Sequence, residues 1–146
     1  VTFRFYRAFH NENATWLDKI TAIVTLGPYS HVEMTDKFGV TIRISPRSNG
    51  IEIIKNVVYV EDRWERIEVK DKSLTELHRF IGENGQINKY DYRGAFLSVL
   101  WRCHWFCNDN KLFCSEAGAM VMGLRRPCSY SPNRLYKKIG EYNAGN

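Results

Sequence analysis

Residues 30–45, SHVEMTDKFGVTIRIS, alternate apolar and polar side chains on either side of Asp36-Lys37-Phe38-Gly39. A period of two sends successive side chains to opposite faces of a strand, and a short glycine-containing turn folds two such segments into a hairpin. The stretch therefore predicts an antiparallel sheet, with His31 and Glu33 on one face of its first hairpin strand. TFRFYRAF before it reads as a further strand, and IEIIKNVVYV and RWERIEV, rich in β-branched residues, as two more. The sheet would have about five members.

Helical spacing takes over elsewhere. Asn13 or Thr15 can cap a helix over TWLDKITAIVTL, where Trp16, Leu17, Ile20, Ile23, Val24 and Leu26 recur near helical intervals, and Gly27-Pro28 would end it. DKSLTELHRFIGENG has Ser73 or Asp71 as cap, Glu76 at the reciprocal position and Gly82 or Gly85 as stop. DYRGAFLSVLWRCHWF, with Asp91 as cap, is strongly apolar. SPNRLYKKIG closes the chain as a helix with Ser131 as cap and Pro132 at its first position. One helix, a mostly antiparallel sheet and then helices make an α+β protein. At 146 residues, 44% of them hydrophobic, the chain suits one domain spanning 1–146.

FCSEAGAMVMG, Phe113 to Gly123, opens a buried helix with a cysteine. In the first turn, unpaired N–H groups and the positive end of the helix dipole favour a thiolate over a thiol. Two readings of Cys114 are open: a small buried hydrophobe, or a nucleophile served by an imidazole from elsewhere in the chain. His31, opening a strand directly after a turn, is the best placed of the four histidines. His10 precedes a polar loop, His78 lies on a polar helix face, and His104 sits among aromatics.

SHVEM, YDYRGAF, FCSEAGAMV and the late SPNRL, taken in that order, resemble the circularly permuted branch of the NlpC/P60 papain-like superfamily. These YiiX-like proteins are related more distantly to lecithin retinol acyltransferase. The histidine strand precedes the cysteine helix in that branch, the reverse of papain, and the resemblance runs from residue 16 to 136. It implies a permuted papain-like fold with Cys114 as nucleophile and His31 as base. The family usually orients the imidazole with a glutamate or second histidine on the strand after the histidine strand. That slot falls around Arg43 to Ser45, where neither residue type occurs. Ser45 can accept a hydrogen bond from the ring, whereas Arg43 has no acceptor. Glu33, two residues from His31 on the same face, is the other candidate for third member. Tyr29 and Tyr92, flanking the site, are candidate oxyanion donors beside the Cys114 backbone N–H.

The expected function is hydrolysis or acyl transfer at an amide, ester or thioester carbonyl through an acyl-cysteine, on a peptide, isopeptide or acyl-lipid substrate. No metal and no organic cofactor is needed for that chemistry. Two other classes compete with it: an inactive binding module on the same fold, and a zinc-stabilised interaction protein using Cys103, His104 and Cys107 with Cys114 or Cys128. The CHWFC run falls in an apolar helix rather than a loop knuckle, which favours core packing for it and for Trp101, Trp105 and Phe106. A net charge of +5 is spread along the chain without a groove-reading motif, so specific nucleic-acid binding is not expected. No run approaches a membrane span, and VTFRFYRAFH lacks the apolar core of a signal peptide. A cytoplasmic protein with four free thiols is the resulting expectation.

Overall fold

The computed structural model describes residues 1–9, 14–45, 50–83, 90–91, 95 and 112–145. Five strands form one sheet: β1 (Thr2–Arg7), β2 (Tyr29–Thr35), β3 (Val40–Ser45), β4 (Gly50–Lys55) and β5 (Trp64–Glu68). Their order is β4-β3-β2-β1-β5, and every neighbouring pair is antiparallel. Four helices are described: α1 (Trp16–Val24), α2 (Thr75–Glu83), α3 (Cys114–Val121) and α4 (Pro132–Ala144). The protein is α+β, with an antiparallel sheet packed against helices.

The hairpin forms where the alternation places it. Asp36 Oδ1 accepts from the N–H groups of Phe38 and Val40, each at 2.8 Å, and Gly39 supplies the left-handed residue at φ +78°. Phe3, Phe5, Val32, Met34, Ile42 and Ile44 are fully buried on the inner face. Ala117 and Ala119 of α3 and Leu135 and Ile139 of α4 are buried with them, and each large side chain removed from water stabilises the fold by about 1.5–3 kcal/mol. Gly118 lets α3 approach closely, since a Cβ there would stand 2.5 Å from Leu135 Cδ2.

Two helix starts follow their caps: Thr15 and Asp18 cap α1 reciprocally, and Ser131 caps α4 with Pro132 at its first position. In α2, which begins at Thr75, Ser73 stands one residue ahead of the cap position and accepts from the Thr75 N–H. The apolar stripe of α1 is another matter. Trp16, Leu17, Ile20, Ile23 and Leu26 are exposed, and Ala22 is the buried residue of the helix. Spacing marks the helix there without marking the side that packs. The second half of IEIIKNVVYV, residues 56–60, is not strand but the start of a crossover between the two edge strands.

The apolar helix expected over DYRGAFLSVLWRCHWF lies almost wholly outside the described residues. Of it, buried Asp91 accepts from the Ala95 N–H at its carbonyl, a single helical bond. His10, Asn13, Gly85, Tyr92, Trp101, Cys103, His104, Trp105, Phe106 and Cys107 also lie outside. No described helix is long and apolar enough to cross a membrane.

Candidate active site

β2 carries the site because it is both central and distorted. Tyr6 faces His31 and Arg4 faces Glu33 across β1, but Arg7 faces Tyr29, so one extra residue is accommodated beside Tyr6 and Arg7. Such a bulge inverts the alternation. Tyr29 therefore turns inward against Phe5, with ring centroids 5.5 Å apart, while His31 turns outward beside Trp64 at 6.2 Å. On its other side β2 is laddered to β3 at Met34 and Thr35 alone. Beyond that ladder, the Val32 N–H donates to the Cys114 sulfur.

Cys114 is the first residue of α3 and is 3% exposed. Phe113 precedes it in extended conformation, and Ser115 anchors the turn by donating its hydroxyl to the Tyr130 carbonyl at 2.7 Å. The thiol lies within hydrogen-bonding reach of the His31 imidazole. Burial would raise the thiol's pKa, yet the facing imidazolium and the N–H groups of Val32 and Ser115 bring it below its ordinary value. For His31 the balance has the same form. Burial disfavours its charged form, but the Cys114 thiolate and the Glu33 carboxylate raise it from 6.5 to about 10. Each ionised partner thus favours the charged form of the other.

Glu33 is 1% exposed, with Oε1 3.5 Å from His31 Nε2. Arg43 Nε donates to the same oxygen at 2.6 Å, and the Tyr59 hydroxyl donates to Oε2 at 2.6 Å. Burial pushes this carboxyl up, but His31, Arg43 and Tyr59 hold it down at about 2. Of the two candidates for third member, the residue brought to His31 is thus Glu33. Ser45 is buried at the end of β3, paired in register with Gly50. Arg43, unable to accept from the imidazole, instead holds the carboxylate that faces it. Neither Arg43 nor Tyr59 was expected as a partner of Glu33 from the sequence, although the hairpin register, Met34 opposite Ile42, sets Glu33 opposite Arg43.

Two expectations need correction. Tyr29 does not offer its hydroxyl to the site: the bulge turns it inward, where it donates to Glu65 Oε2 at 2.6 Å. Tyr136 and Arg7 donate to the same carboxylate, each at 2.5 Å, and the three donors outweigh burial to hold Glu65 at about 2. The second concerns the thiols. Cys114 is free, but Cys128 is disulfide-bonded. The expectation of four free thiols therefore does not hold. Among the described residues no cluster of His, Cys, Asp or Glu could hold a metal ion. His78 is exposed on α2.

Comparison with known families, curated proteins and solved structures found no significant match.

Proposed function

We propose that the protein is a cysteine-dependent hydrolase or acyltransferase with a permuted NlpC/P60-like, papain-like arrangement. It would act on an amide, ester or thioester carbonyl. The observation that carries this reading is the meeting of Cys114, at a helix start, with His31, from a central strand, in a pair biased towards thiolate and imidazolium. The thiolate attacks the carbonyl carbon, forming the S–C bond, and N–H groups of the first turn of α3, which lack intrahelical acceptors, face the developing oxyanion. As the bond to the leaving group breaks, the imidazolium supplies its proton. Water or another acceptor then attacks the acyl-cysteine and returns a proton to His31, and the thiolate departs. Glu33 stabilises the imidazolium state in which the cycle starts and ends. A peptide, isopeptide or acyl-lipid substrate fits this chemistry.

A binding module on the same fold would hold the two residues without reacting. Iodoacetamide at substoichiometric amount separates the two: Cys114 is expected to be alkylated ahead of every other thiol, at a rate still high at pH 6, where an ordinary thiol with a pKa near ~8.5 is almost wholly protonated. His31→Ala should move the rate profile to higher pH with the circular dichroism unchanged, and His78→Ala should not. A profile indifferent to His31 would sink the enzyme reading. The zinc-stabilised alternative is less well supported than the sequence suggests, since Cys114 is engaged with His31 and Cys128 is in a disulfide.

A further inference from the structure

β4 and β5 lie at opposite edges of the sheet, so the chain between them must cross β3, β2 and β1. Strands about 4.8 Å apart make that span about 19 Å, and the inner face is already covered by α3 and α4. Residues 56–63 include a 3-10 turn, Glu61–Arg63, which shortens their reach. They run over the outer face, above β2.

Tyr59 is the residue this path sets on the site. The Arg4 guanidinium lies over its ring, 4.2 Å from the centroid, and Trp64 meets it edge-on at 5.2 Å. Arg4 is itself fixed by donating to Thr35 Oγ1 at 2.7 Å. The ring is thus gripped by β1 and β5 while its hydroxyl bonds a residue of β2. An ionised carboxylate can only accept, so the single phenolic proton goes to Glu33 Oε2. Arg43 Nη2 stands 3.5 Å from that same oxygen while its Nε is already bonded to Oε1. Arg43 thus meets both oxygens, but loosely at Oε2; without the tyrosine hydroxyl only that longer contact would hold Oε2, and the carboxylate would be free to turn about its short Oε1 bond and shift against His31.

We propose that Tyr59 is a positioning residue for the His31–Cys114 pair, its hydroxyl holding Glu33 so that Oε1 stays turned to the imidazole. This rests on the reading of the pair given above. The charged and titratable groups around it are Cys114 from α3, Glu33 on β2, Arg43 on β3 with Glu52 of β4 at 3.7 Å, and Arg4 on β1 over the tyrosine ring. Tyr59→Phe changes no charge and keeps the ring between Arg4 and Trp64.

The experiment follows Cys114 alkylation by iodoacetamide against pH in the full chain and in His31→Ala, Glu33→Gln, Tyr59→Phe and the double variant Glu33→Gln/Tyr59→Phe. Tyr59→Phe is expected to slow the reaction at pH 6 roughly three- to tenfold, a fraction of the worth of one hydrogen bond to a charged group because the tyrosine acts through Glu33, and to move the profile to higher pH. The double variant should be no slower than Glu33→Gln alone, because the tyrosine acts through the glutamate. Tyr59→Leu should give the same shift by a second route. A wild-type profile in Tyr59→Phe, or a double variant slowed by the product of the single effects, would overturn the proposal while His31→Ala still moved the profile. If His31→Ala moved nothing, the dyad itself would fall and the role of Tyr59 with it.

Discussion

A carboxylate held between an imidazole and a guanidinium responds to pH in a direction that can be worked out. Glu33 titrates near 2 in the folded chain and near ~4.3 when unfolded, so between these values the unfolded chain binds more protons. Its contribution to stability is complete above the unfolded value and is lost as pH falls through about 2. Thermal unfolding from pH 6 down to pH 2 should therefore show the wild type losing stability faster than Glu33→Gln, and a constant gap between them would contradict the assignment. Glu33→Gln is also expected to lower turnover on the order of tenfold, the worth of one charged hydrogen bond, whereas Ser45→Ala should be nearly silent. The sequence makes Glu33 visible because residues two apart share a strand face. Arg43 is harder to see: its lack of an acceptor rules it out as a direct partner of the ring and says nothing about its donors. Tyr59 is legible only once the path of the crossover is known.

Among the elements, the start of β2 is held from outside the sheet. Asn133 of α4 accepts from the Tyr29 N–H at 3.0 Å and donates to the Tyr29 carbonyl at 2.9 Å, and its amide also donates to the Thr25 hydroxyl. One side chain does the work of a neighbouring strand, two residues before His31. Asn133→Ala leaves both backbone groups of a buried residue unsatisfied and should cost about 1–3 kcal/mol in denaturant unfolding. It should also slow Cys114 alkylation, and an unchanged rate would separate this contact from the site. Gly118→Ala, which forces buried Leu135 to give way, is expected to cost about 1–3 kcal/mol. The hairpin, the strand at residues 2–7 and the caps Thr15 and Ser131 were all legible, since each rests on local turn chemistry or alternation. The bulge was not: its extra residue is defined only by pairing with β1, and with it the inward turn of Tyr29 was missed. The exposed stripe of α1 was equally hidden, because spacing reports a face and not what covers it.

At the scale of the molecule, the sheet order and the disulfide decide which distant segments act together. Cys128 is disulfide-bonded, whereas Cys114 is free. The denatured chain should therefore take up less alkylating agent before reduction than after it, and equal uptake would mean that the bond does not form. Free thiols were expected on an assumed compartment, and compartment is not geometry. Cys128 stands in the 3-10 turn Pro127–Ser129, immediately before Tyr130, whose carbonyl holds Ser115 beside Cys114. A low-pKa thiolate is readily oxidised to sulfenic acid, and the usual protection is a dithiol. The same dithiol attacks disulfides. The dose of reductant thus acts on Cys114 from two sides, rescuing its sulfur while loosening the segment that holds its helix start, and activity against dithiol concentration should rise to a maximum and then fall.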